Sequence, residues 1–228
     1  DTMEKEEIDV KSTAQAGQDA FVALALDGKI GGTFVDLGAG DPYKYSNTFI
    51  LESVFGWSGI LADIATKDDL VDRRARGNVV YGDALDPALF LDIVEMADRN
   101  GGSIDYLSLD LEPPDITLVC HANLPLDRVR FRVLTVEHDR YRGNSVLKYA
   151  MRGILEGFGY ERVAEDVRMI AKLDDGRHVL VPVEDWWIDP DLVEAEVARE
   201  IADAIRSESE SRATKIIEKL NAEISQHE

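Results

Sequence analysis

The sequence predicts an α/β fold built on a doubly wound, mostly parallel sheet. Three observations predict it. Short apolar runs rich in β-branched residues alternate along the chain with stretches of helical spacing. No internal repeat and no Gly/Ser/Pro-rich linker interrupts that rhythm. The first apolar run, Thr33–Leu37, leads into Gly38-Ala39-Gly40, the kind of strand-to-helix turn that such sheets place beside a ligand crevice.

Each element has its own signal. Residues 18–26 read as a helix that stops near Gly28, and Thr33–Leu37 as the first strand. Residues 47–55 have helical spacing, with Ser46 as N-cap. Residues 58–63 and 78–81 are the second and third strands. Pro87–Arg99 is a helix with proline in its first turn and a stop at Asn100-Gly101-Gly102. Residues 104–109 form the fourth strand, ending in Asp110, and residues 131–136 the fifth, ending in Glu137-His138. After a helix over 144–157, residues 160–163 and 179–183 suit a terminal antiparallel pair; 169–173 either extends the first of these or lies between them. Trp186-Trp187 follows the last strand, where it either lines a substrate site or, as the favoured reading, anchors the C-terminal helix.

The composition changes after Pro190. Residues 191–228 hold 10 acids, 5 bases and no Gly, Pro or aromatic residue, with apolar positions at three- and four-residue steps. This predicts one long amphipathic helix, or two broken near 207–211. The chain therefore divides into a Rossmann-like domain over 1–188 and an acidic helical extension over 189–228. The extension packs on its own domain or serves a homo-oligomer as an arm.

Charge bounds the partners. Against 45 Asp plus Glu stand 25 Lys plus Arg, a net charge of −20. Nucleic acid and anionic membranes are disfavoured, because both need a basic surface. Hydrophobic residues make up 45% of the chain, enough for a packed core. The single cysteine, Cys120, excludes an internal disulfide and a thiolate zinc site, and reads as a buried apolar residue. A charged N-terminus and the absence of a long apolar run suggest a soluble, cytoplasmic protein.

The chemistry concentrates at the strand ends. Glycines after the first strand let a backbone approach a ligand closely. Tyr43 stands where a dinucleotide fingerprint needs its third glycine, so a ligand without pyrophosphate fits better. Asp63, ending the second strand, suits two ribose hydroxyls, and Asp83, after the third, suits an exocyclic adenine amine. Together these describe a nucleoside crevice.

In this order the residues resemble a class I S-adenosylmethionine-dependent methyltransferase, and more narrowly the FkbM-type family. The resemblance rests on Gln18-Asp19, on 32–39 leading to Asp41-Pro42, and on Ser46-Asn47-Thr48, Leu51-Glu52 and 56–60. It continues through 104–112, Val136-Glu137-His138 and Gly159-Tyr160, covering about residues 14–182. It implies a seven-stranded sheet and an S-adenosylmethionine site formed by Asp36, Gly38, Ala39, Gly40, Asn47, Thr48, Asp63, Asp83, Ala84 and Asp110, although Asn47 and Thr48 either meet the methionine end of the cofactor or cap their helix. One departure stands out: Pro113-Pro114-Asp115 replaces the Gly-x-Glu usual after the fourth-strand acids, which alters the substrate side.

Methyl transfer to a hydroxyl needs a base or a metal, because a neutral alcohol is a poor nucleophile. Asp110, Glu137 and His138 are the catalytic candidates. They act as ligands of a divalent metal (Mg, Mn or Fe), or with His138 as general base, or only cap the strands and bond to loop backbones. Glu112 and Asp115 are secondary candidates, and His121 is placed in a loop. The acceptor expected is a small molecule: a sugar, glycan or secondary metabolite. Two alternatives stand beside this reading, a nucleotide-cofactor oxidoreductase on the same fold and a non-catalytic binding or assembly protein.

Overall fold

A computed structural model describes residues 12–139, 141, 143 and 145–224 of the chain. Seven strands form one sheet: β1 Thr33–Leu37, β2 Ser58–Ala62, β3 Val79–Tyr81, β4 Ser103–Leu109, β5 Arg130–Glu137, β6 Glu161–Lys172 and β7 His178–Ile188. Their order is β3-β2-β1-β4-β5-β7-β6. All pairings among the first five are parallel; β7 runs antiparallel to both β5 and β6. The chain winds outward from β1 to β3, then returns to β4 on the other side of β1. The carboxyl ends of β1 and β4 are thus the topological switch point, where a doubly wound sheet opens a crevice.

Alternation along the strands gives the sheet two apolar faces. Val35, Leu37, Leu107, Leu109, Leu134 and Trp187 face α4 Pro87–Arg99, α5 Pro114–Asn123 and α6 Ser145–Gly157. Phe34, Leu61, Tyr106, Val133 and Trp186 face α1 Gln18–Ala25, α2 Phe49–Ser53, α3 Lys67–Arg74 and α7 Ala195–Ile224. The seven-stranded, doubly wound architecture with a C-terminal helix is therefore as the sequence predicts. α4 starts where expected: the Asp86 carboxylate accepts the Ala88 N–H at 2.9 Å, with Pro87 in the first turn.

Four local expectations are corrected. α2 is shorter than 47–55, although the Ser46 hydroxyl does accept the Phe49 N–H at 3.2 Å. α3 was not expected, because its eight residues bury just Leu70 and Arg74 and show no apolar stripe. α5 occupies the segment read as loop: Pro114 is the first helical residue, where the missing N–H costs no intrahelical bond. His121 is consequently buried in a helix. Trp186-Trp187 lies within β7 rather than after it. Of the two readings of 169–173 the extension holds: β6 runs through Met169 to Lys172, displaced by register shifts between Arg162 and Arg168.

Trp186 stacks on Phe21 with ring centroids 4.7 Å apart and packs in the cluster that also holds Val193, Ala198 and Ala202. The anchoring reading holds for it. α7 is a single helix with no break at 207–211. Farther along, the Asn221 side chain accepts from the His178 N–H and donates to the His178 carbonyl, tying the helix to the β6–β7 hairpin. Among the described residues no helix is long and apolar enough to cross a membrane. Asn144, the expected first residue of the sixth helix, and His227 lie outside the described residues.

Candidate functional site

The turn after β1 is held from both sides. Gly38 and Ala39 donate to the Ala62 carbonyl of β2 at 2.8 and 3.1 Å, and Asp110 at the end of β4 donates to the Leu37 carbonyl at 2.8 Å. Gly38 has φ +92°, and a Cβ placed on it would lie 1.6 Å from the Asp110 carbonyl oxygen. This is a close backbone approach that requires glycine.

Beside the turn lies a cleft of about 330 Å³. Gly38, Asp63, Asp83, Ala84 and Asp110, five of the positions singled out from sequence, line it. Glu112 adds a fourth acid, and among the described residues no basic side chain contributes to the lining. Ile64 and Ile116 supply apolar wall; sequence reading missed both. Ile116 lies in α5, whose two prolines read as loop in the sequence, and Ile64 carries no signal beyond following Asp63.

Asp63 is heavily used by the backbone. Oδ2 accepts the Gly40 N–H at 3.0 Å, while Oδ1 accepts the Ala65 and Thr66 N–H groups at 2.8 and 2.9 Å. The exposed Asp83 accepts the Leu85 N–H at 2.8 Å.

The remaining expected cofactor residues do not line this cleft. Asp36 is buried and accepts the Thr48 hydroxyl at 2.6 Å; burial raises its pKa above the ordinary carboxylate value. Asn47 donates to the Ser108 hydroxyl at 3.0 Å, and Ala39 packs in the α1–α7 core. Arg74 binds this seam together, donating to Glu52 (2.7 and 3.0 Å), Ser46 (3.0 Å) and Thr48 (3.1 Å) with its side chain fully buried. Arg74→Met is expected to cost about 3–5 kcal/mol in chemical denaturation, because it leaves the Glu52 carboxylate without its buried partner.

Asp110 and Glu137 follow the paired positions Leu109 and Val136 at the adjoining ends of β4 and β5, and the three catalytic candidates have different surroundings. Asp110 lines the cleft. Glu137 stands opposite Glu184 in the β5–β7 register. His138 is buried on the α6 face, its Nε2 3.5 Å from both Asp166 Oδ1 and Asp185 Oδ1. Among the described residues, the group with metal-ligating spacing is thus His138, Asp166 and Asp185, which does not include Asp110 or Glu137.

The donor set fits a cation poorly. Arg152 donates to Asp185 at 2.6 and 2.8 Å, and Lys148 donates to Asp166 at 2.5 Å. Desolvation opposes ionisation of Asp185, but the neighbouring His138 ring and the hydrogen bonds from Arg152 outweigh it and hold its carboxyl far below the usual range. Both carboxylates already have cationic partners, and a divalent ion there would face the Lys148 and Arg152 charges directly.

No family model matches the sequence, so the FkbM-type resemblance gains no support there. No curated protein matches it either. Solved structures are similar to it. One is a protein of the NADB-Rossmann superfamily from Streptococcus agalactiae, at 16% identity over 80% of this chain and 70% of that one, with TM-score 0.46. A second is the O-methyltransferase from Bacillus cereus in complex with SAH, at 12% identity over 79% and 82%, with TM-score 0.45. A third is TYW2 from M. jannaschii in complex with AdoMet, at 14% identity over 80% and 79%, with TM-score 0.41.

Proposed function

We propose that the chain is an S-adenosylmethionine-dependent methyltransferase that methylates a hydroxyl of a small molecule. One observation carries this reading. Gly38, Asp63, Asp83, Ala84 and Asp110, chosen separately from four strand ends, meet around one cleft at the switch point of the sheet. Asp63 takes the sugar, Asp83 the exocyclic amine, and Ile64 and Ile116 flank the base. Gly38 lets the backbone approach the amino-acid end. The cofactor supplies an electrophilic methyl group. The chain's task is to orient the acceptor and receive its proton.

Asp110 is the proton acceptor in this reading, because it lines the cleft while His138 is turned into the α6 face. A base is favoured over a divalent metal, since the carboxylates beside His138 are matched by Arg152 and Lys148. Four acids and no base around the cleft also disfavour a pyrophosphate-bearing dinucleotide.

Titration calorimetry tests the reading. Micromolar binding of S-adenosylhomocysteine without binding of NAD is expected. Asp63→Ala is expected to weaken it about tenfold or more, as a charge-assisted hydrogen bond is worth roughly 1.5–3 kcal/mol. NAD binding would favour the oxidoreductase, and absence of any nucleoside binding would leave a non-catalytic protein.

A further inference from the structure

Thr66 stands just before α3, in the N-cap position, where a threonine hydroxyl ordinarily accepts a backbone N–H of the first helical turn. Here it makes no such cap. Its Oγ1 instead donates to the Gly40 carbonyl at 2.6 Å. The N–H of the same glycine donates to Asp63, and the Thr66 N–H donates to the other oxygen of that carboxylate. Gly40 is therefore gripped at both its N–H and its carbonyl. Its φ is +59°, and a Cβ built there meets no atom of the described residues within 4 Å.

The same ring limits Asp63. A carboxylate offers about four lone-pair sites. The N–H groups of Gly40, Ala65 and Thr66 take three. One remains on Oδ2, so the carboxylate has room for one sugar hydroxyl, not the two its position in the sequence suggests.

We propose that Thr66 is a positioning residue of the cleft: by holding the Gly40 carbonyl it keeps the Gly40 N–H on Asp63 and leaves one Asp63 acceptor for a nucleoside hydroxyl. The cofactor side of this proposal rests on the methyltransferase reading; the clamp on Gly40 does not. Thr66→Val removes the donor at nearly constant volume, and Thr66→Ser keeps it.

The test combines Gly40 amide exchange in the ligand-free protein, calorimetric affinity for S-adenosylhomocysteine, and Tm. In Thr66→Val, Gly40 exchange is expected to quicken at least tenfold and affinity to fall about five- to tenfold. Thr66→Ser should restore both. Unchanged Gly40 exchange in Thr66→Val overturns the clamp. An affinity loss that serine fails to rescue, or that tracks a fall in Tm, overturns the positioning role. A wild-type protein that binds no S-adenosylhomocysteine removes the methyltransferase reading and the cofactor role with it, while the exchange measurement still decides the clamp.

Discussion

Gly38→Ala is expected to abolish binding of S-adenosylhomocysteine and to lower the free energy of unfolding by about 4 kcal/mol or more. The new methyl group would lie 1.6 Å from the Asp110 carbonyl oxygen, and the residue would hold φ +92°. The obstacle is backbone, so no side chain can rotate away. The backbone cannot yield either, because Gly38 and Ala39 are bonded to β2 while Asp110 is bonded to Leu37. Relief requires parting β1 from β4, which opens the core on both faces of the sheet. Two further glycines calibrate the result. Gly40→Ala keeps φ +59° but meets nothing within 4 Å, and is expected to cost about 1–2 kcal/mol. Gly59→Ala would place its Cβ 1.9 Å from the Phe34 carbonyl, a clash between β2 and β1 that damages the fold without touching the cleft lining. Equilibrium denaturation and calorimetry on the three variants separate turn from sheet. A stable Gly38→Ala protein with wild-type affinity would show that the turn does not pass as close to β4 as described.

The strands of the sheet and the helix Pro87–Arg99 could be read from sequence because each carries its signal within a few residues: β-branched runs, a proline at the first turn, glycines at the stop. Helices α3 and α5 could not. One lacks an apolar stripe, and the other begins with two prolines that sequence rules associate with loops. At the cleft, Asp63, Asp83 and Asp110 were legible because strand ends in a doubly wound sheet converge by topology alone. The surroundings of His138 were not. Asp166 and Asp185 reach it from the antiparallel β6–β7 pair, whose register shifts between Arg162 and Arg168, and period-two alternation cannot be carried through such shifts. Glu184 was missed for a related reason: an acid inside an apolar strand gives no local hint of its partners. The negative charge noted from composition is now placed more closely, since four of the acids line one cleft without a base among them.

Stability is expected to pass through a maximum in mildly acidic solution, set by two buried groups with opposite shifts. Burial, reinforced by the charge of Asp110, pushes the Glu184 carboxyl up to about 8 from an ordinary 4.5, against the opposing hydrogen bonds of Trp186 and Gln18. Trp186 Nε1 donates to it at 2.6 Å. Between those two values the folded chain keeps a proton that the unfolded chain has released. Stability contributed by this group is therefore complete below about 4.5 and lost as pH rises to about 8. By linkage that gap is worth roughly 4–5 kcal/mol. His121 acts in the opposite sense. Its ring nitrogens are buried and have no hydrogen-bond partner among the described residues, and burial pushes it down to about 4 from an ordinary 6.5. There the unfolded chain binds the proton first, so stability is complete above about 6.5 and lost as pH falls toward 4, by roughly 3 kcal/mol. The two limbs are separable by substitution. Glu184→Gln imitates the protonated acid, so its stability relative to wild type is expected to grow by several kcal/mol between pH 5 and pH 9. His121→Leu removes the imidazole from its apolar surroundings and is expected to flatten the fall below pH 6. Denaturation across a pH series reads both differences directly. A Glu184→Gln difference that stays constant from pH 5 to pH 9 would mean that the carboxyl is already ionised at neutral pH. The proton matters to the cleft as well: Asp110 lines it, and Glu184 feels the Asp110 charge, so ionising Glu184 would add to the negative potential there.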